Sequence, residues 1–333
     1  MEKSKLKKIP FRLLLLLLGL ITVLTLVVAP LVGPGFSGLR PIFCSDIGQE
    51  IFFDLRLPRV IFAFLVGFSL SMIGVAFQAL LQNELATPYT LGVASGGALG
   101  AVFAIKSGLA FSAYGFSTSA FFSIAGSLLT ILLIYNIAKS RIGLSPLTLI
   151  LTGVTVSLLF SSFILFIHYL ADFTETYRMI RWLMGGLQIT GWNYIWFLIP
   201  FVLLTFSYLF RQAVALNIIS SGEQLALSKG VDVLHLQKGV FLFSSILIGV
   251  VVAFAGPIGF IGLIIPHLLR LIVGSDHRKL LISAPIFGGF FLIWCDTLSR
   301  IIIAPAELPV GIITAMLGGP FFIWLLIKKK RSI

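Results

Sequence analysis

The stretch PRVIFAFLVGFSLSMIGVAFQAL, Pro58 to Leu80, decides the fold. After Arg59 it carries no charge, and only two serines and one glutamine interrupt the apolar run. A helix rises about 1.5 Å per residue, so about 20 apolar residues cross a hydrocarbon core of roughly 30 Å. A membrane-crossing strand is about half that length and alternates apolar with polar, which this stretch does not. It reads as a spanning helix. Similar runs recur at about 11–33, 90–106, 113–137, 145–169, 193–210, 239–255, 258–273, 279–298 and 308–327, which makes ten spans. The eighth is short and begins at GPIGF, where Gly256, Pro257 and Gly259 break the preceding helix. The fold class is therefore all-α and polytopic. Composition agrees: 58% of residues are apolar and 11% charged, against about 25% charged in soluble domains. The first apolar run exceeds the roughly 7–15 residues of a signal-peptide core and reads as an uncleaved span. No large soluble domain is evident at either end, so residues 1–333 read as one transmembrane domain.

Ten spans place both termini on one side. KSKLKK and KKKR at the two ends identify that side as the cytoplasm, because basic loops stay inside. Of the 24 basic residues, all but Arg40, Arg56, Arg59, Lys106, Arg178, Arg181 and Arg300 fall there. Nine or eleven spans would put one basic tail outside. The net charge of +12 is thus an orientation signal. Nucleic-acid binding is excluded for want of an exposed basic domain. Cys44 and Cys295 are too few for a disulfide framework. The outer loop 170–192 contains ETYRMIRWLMGGLQITGW, and its Trp and Tyr predict a short helix lying at the interface. Residues 58–170 and 239–327 are candidates for two four-span halves of opposite orientation, an inverted repeat.

The longest inner loop, 211–237, ends in SGEQLALSKGVDVLHLQ (Ser221–Gln237). Ser221 and Gln224 have capping-box spacing, Gly230 is a helix stop, and Asp232 caps the turn running into Leu234 and Leu236, so two short helices are expected. A solvated connector is the plain alternative, but connectors rarely carry such ordered signals. No G-x-x-x-x-G-K-[ST] loop is present, so ATP has no phosphate cradle of that kind here. H-E-x-x-H, G-x-S-x-G and clustered carboxylates are also lacking, so no catalytic residue and no metal site is expected. Scarce charge within the spans argues against a proton- or sodium-coupled carrier.

Four blocks carry a family resemblance. RLPRVIFAFLVGFSLSMIGVAFQALLQNELATPYTLGVASGGALGA (56–101), GEQLALSKGV (222–231), GPIGFIGLIIPHLLRLIVGSDHRKLL (256–281) and ELPVGIITAMLGGPFFIWLL (307–326) resemble, in the same order, the FecCD-type permeases. These are membrane subunits of ABC importers for iron–siderophores, haem and vitamin B12. The resemblance implies a vitamin B12 importer-like (type II) permease fold in a bacterial inner membrane, carrying one of those substrates, iron–siderophore foremost. It implies two copies of an ATPase that bind ATP and magnesium, with no cofactor in this chain. It also implies a periplasmic or lipoprotein binding protein, and a second permease, either a copy or a paralogue.

The same resemblance assigns residues. Ser221, Gly222, Glu223, Gln224, Ala226, Gly230 and Val231 would form the coupling element that docks on the ATPase. Arg56, Arg59 and Arg300, outward against the charge trend, would meet acidic residues of the binding protein; Arg suits this because its fork meets a carboxylate bidentately. Interfacial anchoring by snorkelling is their plain alternative. Asn83, Leu85 and Ser145 would belong to the cytoplasmic gate, although Glu84 stands where the family usually has proline. Gly92, Gly96 and Gly100 read as small-residue helix packing. Asp296 is placed to pair with Arg300. His267 reads as structural, and His168 as a lone histidine at the pathway's outer end.

Overall fold

The structure, a computed structural model, describes residues 10–33, 36–37, 46–87, 89, 91–109, 112–113, 116–138 and 146–330. Its helices are α1 (Phe11–Val28), α2 (Leu57–Leu80), α3 (Val93–Lys106), α4 (Thr118–Ala138), α5 (Pro146–Tyr169), α6 (Phe173–Leu183), α7 (Asn193–Arg211), α8 (Ala213–Ile219), α9 (Glu223–Ser228), α10 (Val233–Ala255), α11 (Ile261–Val273), α12 (His277–Ile301) and α13 (Val310–Lys330). A helical lead-in, Asp46–Glu50 followed by π-helical Ile51–Arg56, runs into α2. Among the described residues, 7 helices are long and apolar enough to cross a membrane, and three shorter apolar helices, α3, α11 and α13 to Trp324, complete the predicted order.

The shortness of α3 and α11 has a physical reason. At 14 and 13 residues they rise about 20 Å, less than a bilayer core. Each begins after non-helical chain, at Gly92 (φ +74°) and Phe260 (φ +68°). Irregular backbone at membrane depth must find its partners inside the protein. Here the Tyr89 hydroxyl accepts from Ile258 N at 2.6 Å and joins the two lead-ins. Gly92 is thus the left-handed cap of α3, and it also packs, since a Cβ there would collide with the Gly153 carbonyl of α5. Gly96 and Gly100 pack as well: a Cβ on either would collide with α4, at Thr130 and Gly126 or at Phe122.

The core is built by close backbone approach. α2 lies along α12, where Gly67 faces the Gly288 carbonyl, and crosses α11, where Gly74 faces Gly262. In mirror fashion α10 packs along α4 and α3. Thus α2 of one candidate half packs on α11 and α12 of the other, and α10 packs on α3 and α4. Large apolar side chains of α1 and α5 remain exposed, as expected where lipid or another chain is the solvent.

The predicted interfacial helix is α6. Asp172 and Glu175 cap it reciprocally, with Glu175 N donating to Asp172 Oδ1 (2.7 Å) and Asp172 N to Glu175 Oε2 (3.0 Å). Lys106 at the end of α3 also reaches Glu175 (2.8 Å), and that hydrogen bond, with the one from Asp172 N, holds the Glu175 carboxyl below its ordinary range. Just beyond α6, Gly186 N donates to the last carbonyl of α10, Ala255 O, at 2.8 Å.

Candidate functional site

The polar residues gather at two ends of the helix assembly. At the expected cytoplasmic end lies the 211–237 loop. It contains α8 and α9, and its last turn merges into α10. This departs from the expectation of two short helices around Gly230. Asp232 does cap, accepting from His235 N at 3.0 Å, but the helix it starts is the seventh span itself, which begins at Val233 and not at 239. Ser221 is not a cap either. The N-cap of α9 is Gly222, one residue later, with φ +128° and no side-chain cap bond. Gly230 behaves as predicted: its φ is +77°, Val231 N donates to Ala226 O and Gly230 N to Leu227 O, both 3.0 Å. This double closure seals the helix end. The result is a short, stiff helix between two glycines, with Ala226 buried and Leu225 and Leu227 exposed at 42% and 57%. Glu223 and Gln224 lie in its first turn. The Asp232 carboxyl is held below its usual range, first by the His235 backbone amide.

α8 is fastened from two directions. Asn217 Nδ2 donates to Asp276 Oδ1 (2.9 Å), and Asn217 Oδ1 accepts from His277 N (2.7 Å), which ties α8 to the start of α12. The hydrogen bond from Asn217 is the main reason the Asp276 carboxyl titrates low. From the other side, Gln82 Nε2 donates to Ile219 O at 3.1 Å. Gln82 belongs to the loop that holds Asn83 and Leu85, the residues expected at the gate. Asn83 Oδ1 accepts from Leu85 N (2.9 Å), an Asx turn that takes over the stiffening a proline would give. Glu84 lies 3.7 Å from Arg270 of α11, which also donates to Gln78 Oε1 at 3.0 Å. Leu85 is 50% exposed. Ser145 lies outside the described residues.

At the opposite end the arginines are not free forks. Arg59, at the start of α2, meets Asp296 through Nε (3.0 Å) and Nη2 (2.9 Å), and Glu307 through Nη1 (2.9 Å). Arg300 is 4% exposed. Its Nη1 donates to Val32 O (3.1 Å), its Nη2 to Ala29 O (3.4 Å), and its Nε lies 3.2 Å from Asp296 Oδ2. Arg59 and Arg300 are both engaged with carboxylates and carbonyls of this chain. The Asp296–Arg300 pairing is observed. Arg56 is partly exposed and donates to Pro30 O at 3.3 Å. Glu307, the first residue of the ELPVG block, joins the cluster although the sequence reading assigns it no role. It accepts from Gln188 Nε2 (2.9 Å) as well as from Arg59. Burial pushes its carboxyl up, but the Arg59 charge and these hydrogen bonds outweigh that and hold it low. The signal was an acid beside an outer helix end, across from an uncompensated arginine. Arg178 and Arg181 of α6 are exposed on the same side.

Two ionic ends joined by apolar helices, with a stiff polar loop at one end, match known proteins along nearly the whole chain. The chain is 36% identical over 284 residues to the iron(3+)-hydroxamate import system permease protein FhuG of Bacillus subtilis, which covers 84% of each chain. It is 38% identical over 290 residues to the vitamin B12 import system permease protein BtuC of Yersinia enterocolitica, covering 86% of this chain and 84% of that one. Among solved structures, an inward-facing conformation of a putative metal-chelate type ABC transporter superimposes with a TM-score of 0.84 at 33% identity, over 95% of this chain and 99% of the other. The sequence pattern of the FecCD transport family matches residues 12–328. The chain belongs to the FecCD transport family.

Proposed function

We propose that this chain, an ABC-importer permease of the FecCD transport family, carries an iron–siderophore across the inner membrane. A binding protein delivers the chelate at the Arg59–Glu307 end, and two ATPase subunits act at the α8–α9 end. A second permease, copy or paralogue, completes the pathway, and both termini face the cytoplasm. The observation that carries the docking assignment is α9 itself. Leu225 and Leu227 stand exposed on a helix of 6 residues outside the predicted spans, fixed at both ends by glycines. Exposed apolar side chains on a stiff polar loop suit a partner groove. By the same reading Gly222, Glu223, Ala226, Gly230 and Val231 shape the contact, and ATP is hydrolysed on the partner. Arg178 and Arg181, exposed on α6, add positive charge beside Arg56, Arg59 and Arg300 where an acidic binding protein would arrive.

The iron–siderophore choice rests on similarity to the hydroxamate permease and the metal-chelate transporter. Uptake of radiolabelled ferric hydroxamate, haemin and cobalamin by a deletion strain carrying this chain with its neighbouring ATPase and binding-protein genes tests it. Ferric hydroxamate uptake that vanishes without the ATPase is the expected result. Uptake of cobalamin or haemin alone overturns the substrate, and uptake that persists without any ATPase overturns the importer.

A further inference from the structure

The loop between α2 and α3 turns at Gln82, whose φ of +49° lies in the left-handed region that non-glycine residues rarely adopt. The turn aims the side chain away from its own loop, at the Ile219 carbonyl 3.1 Å away. That carbonyl ends α8, and it also accepts from Gly222 N at 3.0 Å. Gly222 is the N-cap of α9. One oxygen atom therefore joins Gln82 of the α2–α3 loop to the cap of the helix read as the ATPase contact. Neither neighbour is slack. α8 is held to α12 through Asn217, Asp276 and His277, and the far side of the loop is held to α11 through Glu84 and Arg270. Asn83 and Leu85 lie beside these two anchors.

We propose that Gln82 is the positioning residue that transmits displacement of α9 to the gate loop, through its hydrogen bond to Ile219 O. The proposal rests on the reading of α9 as the ATPase contact and of Asn83–Leu85 as gate. A shift of the loop carried by α9 pulls the Ile219 carbonyl, and Gln82 follows because a stretched amide–carbonyl bond weakens steeply. Glu84–Arg270 holds the other end, so the loop reorients and does not translate whole. A residue that served only to fill the carbonyl's second lone pair would not affect the gate's response to nucleotide.

The test uses the permease assembled with its ATPase in lipid nanodiscs. Leu85→Cys is introduced with Cys44→Ser and Cys295→Ala, and the rate of maleimide labelling is measured without nucleotide and with ATP plus vanadate. Gln82→Asn tolerates the left-handed backbone but is one methylene too short to reach Ile219. Gln82→Lys keeps a donor with sufficient reach. The expected result is that Gln82→Asn cuts the nucleotide-dependent change in labelling by about fivefold, the scale of one ordinary hydrogen bond, and that Gln82→Lys restores it, with ATPase assembly retained in both. Gln82→Met, of similar length with no donor, gives the same reading should Gln82→Asn melt early. A full nucleotide response in Gln82→Asn or Gln82→Met, or no rescue by Gln82→Lys, overturns the proposal. A parent complex whose labelling ignores nucleotide overturns the gate reading and the tie together, and is recognised because it appears before any change at Gln82.

Discussion

Replacing Asp296 by asparagine keeps its shape and removes its charge. The cluster holds Arg59 and Arg300 against Asp296 and Glu307, two charges of each sign. Asp296→Asn leaves one positive charge uncompensated where the carboxylate side chain is 1% exposed. Removing one partner of a buried pair costs about 3–5 kcal/mol, because the survivor stays desolvated. Native proteins hold about 5–15 kcal/mol in all, so the variant is expected to express poorly and to melt at least about 5 °C lower in detergent. Adding Arg300→Met restores charge balance around the Arg59–Glu307 pair. It also strips donors from the Ala29 and Val32 carbonyls, at about 1 kcal/mol each, so the double variant should recover only about half of the loss. The assay is thermal melting followed by size-exclusion fluorescence, arranged as a double-mutant cycle. An arginine reserved for an outside partner behaves differently, since losing a free surface charge shifts stability by no more than about 0.5 kcal/mol. An Asp296→Asn variant within about 1 kcal/mol of the parent, or a double variant with no recovery, refutes the internal assignment of these arginines.

Three other outcomes rest on the same geometry. Gly74→Ala places a methyl on the backbone of Gly262, and since backbone cannot yield, about 1–3 kcal/mol or more should be lost; Gly19→Ala, with open space around it, is the matched control in the same melting assay. Gly230→Ala forces a side chain onto φ +77° at about 1–2 kcal/mol, so co-purification with the ATPase should weaken several-fold while the spans melt normally. The Glu307 carboxyl is depressed from 4.5, so its contribution is complete above that pH and is lost as pH falls through the lower folded value. The melting difference between the parent and Glu307→Gln should therefore hold from pH 7 down to about 4.5 and then shrink, whereas a difference that begins to shrink near pH 6 contradicts the Arg59 pairing.

The spans were legible because length and apolarity are local properties, and a bilayer reads them directly. The short helix α6 and the stop at Gly230 were legible for a similar reason, since caps and glycine turns are written within a few residues. The rest escaped through distance or competition. Arg59 finds Asp296 across 237 positions, and no nearby pattern announces that its charge is already spent. Ser221 has capping-box spacing, but the chain turns one residue later, where Gly222 adopts a dihedral closed to serine. The polar run His235-Leu236-Gln237-Lys238 looked like loop because it is hydrophilic. It belongs to the first turns of α10, where His235 is exposed but Leu236 and Gln237 are buried against the rest of the protein.

The unbroken course of α10 makes it a lever. Its 23 residues give a rod of about 34 Å, with the capped end at Asp232 beside α9 and the far end fastened at Ala255 to Gly186. A tilt of about 5° about one end swings the other by about 3 Å, more than a hydrogen bond can stretch and survive. Under the proposed reading of α9 as the ATPase contact, a small rotation there would thus part the Gly186–Ala255 bond at the far end of the rod.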